Sequence, residues 1–231
     1  SGIQFNKYAA ELLKKKRPDI EIVGDDLHPI GQVKDFAPYI AKIKAAGADT
    51  VLTGNWGMDL VLLIKSAKDA GLNVDFYTYY APLRGTPEDM GASGENRVKY
   101  GGVWHRNVEG ALSEQIAPGF RKKYNEDFYM ANTYALVASV AQAARKSGSV
   151  DPTKIARALE GMEFESLNGK VVMRKQDHQL QEPFYIATWA KADGKTVRYD
   201  QEGTGFGWKT DVKVDAGVAE QPSTCQMRRP D

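Results

Sequence analysis

Short β-strand patterns alternate with amphipathic helix patterns through the first part of the chain. The repeat is about 30 residues long, which is the length of a βαβ unit. Because crossovers between parallel strands are almost always right-handed, such repeats predict a parallel sheet with helices on both faces, an α/β fold. The predicted helices are 3–17, 36–46 and 60–70, and the predicted strands are 20–23, 50–53, 74–78 and 98–104.

The pattern changes from Leu112 onward. Three helix patterns follow without a strand between them, and the third has Asp151 as N-cap and Pro152 at the first helical position. After Gly169 strand patterns return, with Asp193 and Gly194 as a hairpin turn between the last two. The predicted helices are 112–124, 134–145 and 152–159, the predicted strands are 171–173, 184–189 and 197–199, and an extended or irregular tail is predicted from residue 210.

Composition excludes several classes of protein. The chain has 31 Lys and Arg against 30 Asp and Glu, and its 42% hydrophobic content is that of a globular protein. Its charges are dispersed, so we predict no nucleic-acid partner. Its apolar runs are far shorter than the ~20 residues that span a bilayer, and no secretory signal opens the sequence, so we expect a soluble chain that is already mature if exported. Its length allows one large domain or two lobes of ~100 residues each.

Cys225 is the single cysteine, and no histidine pair stands at metal-ligand spacing. We therefore predict no metal site. A lone cysteine fits either a reducing compartment or an exported protein whose pairing partner lies elsewhere. The helix over 3–17 has no strand before it to supply a sheet, so we expect upstream residues, which favours the second possibility.

Several short motifs stand in a fixed order along the chain. They are Gly24 to His28, Asp35-Phe36, Ala48-Asp49, Gly54-Asn55-Trp56-Gly57, Gly71-Leu72, Asp177-His178-Gln179, Pro183-Phe184-Tyr185 and Cys225-Gln226-Met227-Arg228-Arg229-Pro230. In this order they resemble the branched-chain amino acid class of type I periplasmic solute-binding proteins of ABC transporters. The resemblance covers essentially the whole chain. It implies a two-lobe fold of parallel sheets flanked by helices, joined by three hinge crossovers.

The resemblance also implies the lobe boundaries. Residues 1–106 correspond to the first segment of the second lobe, and residues 107–183 to the remainder of the first lobe. Residues 184–231 return to the second lobe and form its tail. The early part of the first lobe is not represented in this sequence.

The ends of two predicted strands indicate a ligand site. Asn55 and Trp56 follow the strand that ends at residue 53, and Tyr79 and Tyr80 follow the strand that ends at residue 78. Ligands of open parallel sheets bind outside the carboxyl ends of the strands. Since adjacent strand residues alternate faces, we expect one of the two tyrosines in the core and favour Tyr80 for the cleft. Arg84, shortly after, is a candidate for bidentate contact with an anionic ligand.

The resemblance assigns further roles to these positions. Trp56 matches an aromatic ring that lies over the ligand, and Tyr129 matches a further aromatic from the first lobe. Tyr80 stands where relatives have an acidic residue that pairs with the ammonium of an amino acid. A phenol accepts a hydrogen bond but does not neutralise an ammonium, which favours a ligand without the amine, such as a carboxylate, an amide or an aromatic acid.

The sequence contains no nucleophile elbow, phosphate loop, dinucleotide fingerprint or zinc-protease motif. We therefore predict that the chain is not an enzyme and has no cofactor. The favoured function is a periplasmic or surface-anchored solute-binding protein that closes on a small amino acid, organic or aromatic acid or amide, and delivers it to a membrane ABC permease. Two alternatives stay open: a ligand-sensing receptor or regulatory domain of the same fold, and a fragment of an α/β enzyme.

Overall fold

The structure is a computed structural model that describes residues 2–218, 220 and 222–229. Its helices are α1 Gly2–Lys16, α2 Ala37–Ala45, α3 Gly57–Asp69, α4 Thr86–Met90, α5 Ala111–Tyr124, α6 Ala131–Ser147 and α7 Pro152–Leu159, with a short 3₁₀ turn at Gly91–Gly94. Its strands are β1 Thr50–Leu52, β2 Asp75–Thr78, β3 Val98–Gly102, β4 Glu163–Ser166, β5 Gly169–Met173, β6 Leu180–Gln181, β7 Phe184–Lys191 and β8 Phe206–Val214. None of the described helices is both long and apolar enough to cross a bilayer.

The larger sheet has five strands in the order β1-β2-β3-β7-β8. β1 pairs with β2, and β2 with β3, in parallel, so that Val51 lies opposite Phe76 and Phe76 opposite Val98. A second sheet joins β4, β5 and β6 in antiparallel fashion. The predicted α/β fold with a parallel sheet is therefore confirmed.

The predicted helices are confirmed, with ends that differ by a few residues. Helix α3 shows why the pattern was informative, since Leu60, Leu63, Ile64 and Ala67 repeat at helical spacing and all are buried. The predicted helix over 152–159 begins as expected, because the Lys154 amide donates to the side chain of the N-cap residue Asp151 at 2.9 Å.

The predicted strand over 20–23 is wrong, since no strand forms there. Ile20, Ile22 and Val23 are exposed, at 41%, 51% and 43%. Their branched side chains favour extended backbone, but a strand is stabilised by a paired neighbour and by burial, and these side chains gain no such burial.

The predicted strand over 197–199 and its hairpin turn are also wrong. Asp193 instead closes a local loop, in which its side chain accepts hydrogen bonds from the Lys195 and Val197 amides at 2.8 and 2.9 Å. The side chain of Asn107 then donates to the Tyr199 carbonyl at 2.8 Å and accepts from its amide at 2.9 Å. A side-chain amide thus takes the backbone bonds that a neighbouring strand would have made.

Three strands, β4, β6 and β8, were missed by the sequence pattern, and β6 is only two residues long. β4 alternates exposed Glu163 and Glu165 with buried Phe164 and Ser166, but it is only four residues long. β8 extends to Val214, into the segment predicted as an irregular tail, and most of its second half is exposed. A strand with a polar, exposed second half carries little hydrophobic pattern.

The chain separates into two compact units. The first comprises the described residues of Ser1–Tyr100 with Thr188–Ala192 and Asp200–Gly207, and the second comprises Gly101–Ala187, Asp193–Tyr199 and the described residues of Trp208–Asp231. At residues 101–106, 184–187 and 193–199, and in the described residues from Trp208 onward, this grouping differs from the predicted lobes, which place all of these segments with the first hundred residues. The assignment of the lobes themselves stays a prediction.

Each unit has its own buried core. In the first unit the largest fully buried side chains are those of Phe36, Ile40, Leu60, Val61, Ile64, Phe76, Met90, Val98 and Trp189. In the second unit two clusters form, one of Trp104, Val108, Ala117, Leu167 and Tyr185, and one of Ala143, Met162, Phe164 and Val171.

Candidate functional site

The ends of β1 and β2 are built alike. Thr53 and Thr78 are buried, and each hydroxyl oxygen accepts a hydrogen bond from the amide two residues later, from Asn55 at 3.1 Å and from Tyr80 at 3.2 Å. The two strands are parallel neighbours, and the Thr53 amide also donates to the Tyr77 carbonyl at 2.9 Å. After β1 and after β2 the backbone therefore leaves the sheet at the same edge, which is the edge where ligands of parallel sheets bind.

Aromatic rings cover part of this edge. The Tyr79 ring lies 4.2 Å from the Tyr80 ring and 5.5 Å from the Phe5 ring, between centroids. A side chain at Gly54 would meet the Phe5 ring at 3.6 Å and the Tyr79 hydroxyl at 3.8 Å, so these residues lie side by side. Burial, and then the neighbouring Tyr80, raise the pKa of the Tyr79 hydroxyl above its ordinary value.

The expectation that one of the two tyrosines lies in the core is wrong. Tyr79 is 39% exposed and Tyr80 is half-buried. After Thr78 the backbone leaves the strand, so the alternation of faces ends there and the two rings pack against each other. Both rings are therefore candidates for ligand contact.

Trp56 stands at the N-cap of α3 in extended conformation, and 52% of its surface is exposed. Gly57 follows with a φ of 55°, a left-handed conformation that glycine adopts at little cost. Within the first turn of the helix, the buried carboxylate of Asp59 accepts a hydrogen bond from the Gly31 amide at 2.8 Å. A carboxylate in the first turn also favours the helix dipole, so the segment that presents Trp56 is well anchored.

Asn55 is half-buried and contacts a histidine from an earlier loop. Its Oδ1 lies 2.8 Å from His28 Nε2, and the other ring nitrogen of His28 lies 3.2 Å from the Pro29 carbonyl oxygen. The imidazole packs edge-on against the rings of Phe36 and Tyr39, at 5.1 and 5.7 Å between centroids. Sequence analysis placed His28 only within a motif of the resemblance, and the sequence carried no signal for its partner.

Arg84 is exposed and lies in the segment that follows Tyr80. That segment is held by a loop distant in sequence, because the Glu202 carboxylate accepts from the Gly85 amide at 2.6 Å and from the Glu88 amide at 2.7 Å. Gln201 of the same loop donates to the Pro82 carbonyl at 3.0 Å. These contacts fix the backbone that carries Arg84.

Asn55, Trp56 and Tyr80 thus follow neighbouring strands at one sheet edge of the first unit, and Arg84 follows shortly after. Tyr129 belongs to the second unit, where it is half-buried just before α6. Phe5, Tyr79 and His28 complete the edge, and sequence analysis did not select them as site residues. Among the described residues no group of three or more His, Cys, Asp or Glu side chains is placed to hold a metal ion.

Comparisons with known proteins agree with this architecture. A family model described as periplasmic binding protein matches residues 1–195. The Leu/Ile/Val-binding protein homolog 4 of Brucella melitensis is 30% identical over 219 residues, which cover 91% of this chain and 51% of that protein. The chain therefore spans about half the length of the curated relatives it matches.

Two solved structures show the same fold. The Leucine-, isoleucine-, valine-, threonine-, and alanine-binding protein from Brucella ovis, in a closed conformation, matches with a TM-score of 0.84 and 28% identity over 95% of this chain and 57% of that chain. A solute binding protein of an ABC transporter from Rhodopseudomonas palustris BisB5, in complex with 3,4-dihydroxy benzoic acid, matches with a TM-score of 0.63 and 18% identity over 79% of this chain and 49% of that chain.

Proposed function

Because this chain belongs to the periplasmic binding protein family, we propose that it is the ligand-binding part of an extracytoplasmic solute-binding protein that serves an ABC importer. The observation that carries the proposal is the shared edge of β1 and β2, where an amide and a half-exposed indole follow β1 and two phenols follow β2. Aromatic walls with a few oriented polar groups are typical of small-molecule sites.

We propose that the ligand is a small organic or aromatic acid, or an amide, that lacks an ammonium group. Tyr80 supplies a phenol where an amino-acid binder needs a carboxylate, and an unpaired ammonium in a closed site is costly. The carboxylate of Asp59 is buried and bound to the Gly31 amide. Arg84, on its anchored segment, supplies a positive charge for a ligand carboxylate.

The name of the Brucella relative points to branched-chain amino acids, whereas the structure with 3,4-dihydroxy benzoic acid shows that the fold also accommodates an aromatic acid. The aromatic character of Trp56, Tyr79 and Tyr80 suits an aryl or branched apolar body in either case. Because position 80 is a tyrosine and not an Asp or Glu, we favour an organic or aromatic acid over an amino acid as the ligand. A small amino acid is the second ligand class for the test below.

Membership in the family implies how the ligand would be enclosed and delivered. Two lobes would close on the ligand about their hinge strands, with Tyr129 contributed by the other lobe. The closed form would be recognised by a membrane permease after export to the periplasm. In this proposal the protein binds and releases its ligand without chemical change, and it needs no cofactor.

Titration calorimetry of the full-length protein tests the proposal. The ligand panel pairs leucine and valine with their 2-oxo acids, and adds 3,4-dihydroxybenzoate and benzamide. We expect micromolar or tighter binding of at least one acid or amide and much weaker binding of the amino acids. Tight binding of leucine and valine with no binding of their 2-oxo acids would refute the ligand class, and no binding of any small molecule would refute the function.

A further inference from the structure

His28 faces an oxygen atom at each of its ring nitrogens. Nε2 lies 2.8 Å from Asn55 Oδ1, and Nδ1 lies 3.2 Å from the carbonyl oxygen of Pro29. Both oxygens are hydrogen-bond acceptors, so a neutral ring, which carries a single N–H, donates to only one of them. The shorter contact is the one to Asn55, 27 residues away in sequence.

The donor at Nε2 determines which way the Asn55 amide points. A neutral imidazole has one N–H group, and placing it on Nε2 preserves the 2.8 Å contact, while a doubly protonated ring satisfies both contacts. In either form Asn55 Oδ1 is engaged by the histidine, and the two donors on Nδ2 are directed elsewhere. The opposite amide orientation would place Nδ2 against Nε2 and turn Oδ1 outward.

The surroundings restrict both side chains. The rings of Phe36 and Tyr39 contact the imidazole at 5.1 and 5.7 Å, and Phe36 is fully buried. The backbone N–H of Asn55 donates to the Thr53 hydroxyl at 3.1 Å, which fixes the backbone at the strand end. The histidine plane and the asparagine backbone are thus held independently, and the hydrogen bond between them sets the remaining rotation.

We infer that His28 is a positioning residue that holds the Asn55 amide with its NH₂ group toward the ligand, so that this position of the site selects an oxygen acceptor. A carboxylate, carbonyl or hydroxyl oxygen satisfies that group, whereas an ammonium meets only another donor. The inference rests on the proposed function, which places the ligand at this sheet edge. It adds a second reason, independent of Tyr80, for a ligand without an ammonium group.

The protonation state of the ring is measurable without any ligand. Nitrogen-15 NMR distinguishes a protonated ring nitrogen from one with a free lone pair, and His28 is identified by the signal that disappears in His28→Gln. His105 is a reference for a neutral ring, because burial lowers its pKa to about 3. We expect a protonated Nε2 on His28 at pH 7. A lone pair on Nε2 would overturn the inference, whatever the protein binds.

Two substitutions then test the consequence for binding. His28→Gln keeps a side-chain NH donor for Asn55, whereas His28→Phe keeps the aromatic packing on Phe36 and Tyr39 and removes the donor. With 3,4-dihydroxybenzoate and leucine as probes, we expect His28→Phe to lower the ratio of acid to amino-acid affinity about tenfold, and His28→Gln to restore it to within about threefold. His178→Gln, in the other unit, is the matched control and should leave the ratio unchanged.

The NMR measurement and the affinity measurements together separate failure of the positioning role of His28 from failure of the proposed function. An unchanged affinity ratio in His28→Phe, or an equal loss in both His28 variants, would refute the positioning role while the wild-type binding still supports the function. If the wild-type protein binds neither probe, the proposed ligand class fails, and the NMR result still decides how His28 holds Asn55.

Discussion

Replacing Trp56 with alanine tests whether the edge of β1 and β2 is the ligand site. A tryptophan side chain has up to about 250 Å² of surface to bury, and 52% of Trp56 is exposed, which leaves about 130 Å² for a ligand to cover. If a ligand covers between half and all of that surface at about 25 cal/mol/Å², the indole contributes about 1.5–3 kcal/mol to binding. We therefore expect Trp56→Ala to weaken binding about 10- to 150-fold.

The same arithmetic predicts the effect on stability. The buried half of the indole is lost as well, so the empty protein should be destabilised by about 2–3 kcal/mol, or about 4–12 °C in the thermal midpoint. Tyr124, at the end of α5 in the second unit, is 53% exposed and packs on the Phe120 ring at 4.6 Å. Tyr124→Ala should cost similar stability and no affinity, which makes it the matched control.

Titration calorimetry of both variants against the tightest ligand of the wild-type panel supplies the affinities, and differential scanning calorimetry without ligand supplies the midpoints. An affinity of Trp56→Ala within twofold of the wild type, with a fall in midpoint like that of Tyr124→Ala, would show that Trp56 only packs against its neighbours. An equal loss of affinity in both variants would show a general effect of destabilisation, and would also refute the reasoning.

Three further predictions concern Tyr80, Glu202 and His105. Tyr80→Glu should strengthen leucine binding at least about tenfold, because a carboxylate neutralises the ammonium, and calorimetry showing no gain would contradict the proposed role of position 80. Glu202→Gln should destabilise the first unit by about 1–2 kcal/mol, because the Gly85 and Glu88 amides lose their charged acceptor; hydrogen exchange at those two amides should accelerate, and unchanged protection would contradict this. His105 is neutral in the fold, since burial lowers its pKa from 6.5 to about 3, so the stability it confers is complete above pH 6.5 and is lost as the pH falls toward 3. At pH 5 the loss should be roughly 2 kcal/mol; denaturant unfolding at pH 7 and 5 should show a smaller difference in His105→Gln than in the wild type, and an equal difference would contradict the prediction.

The predicted site divides into a part that was visible in the sequence and a part that was not. Asn55, Trp56 and Tyr80 were selected because they directly follow strand patterns, and the end of a strand is a local feature. Phe5 and His28 reach the same edge from distant parts of the chain, and Glu202 holds the segment that carries Arg84 although it lies 117 residues from its partner Gly85. Neither their residue types nor their spacing indicates such partners.

The sequence by itself determined helices α1, α2 and α3, strands β1, β2 and β3, and the N-cap at Asp151, because hydrophobic period and capping depend on residues within one or two turns of each other. Only the tertiary structure decided that residues 20–23 stay unpaired, that Asn107 takes the backbone bonds of Tyr199, and that β8 continues to Val214 beside β7. Each of these depends on which partner is available at that position, and pairing between distant segments is set by the path of the whole chain rather than by local propensity.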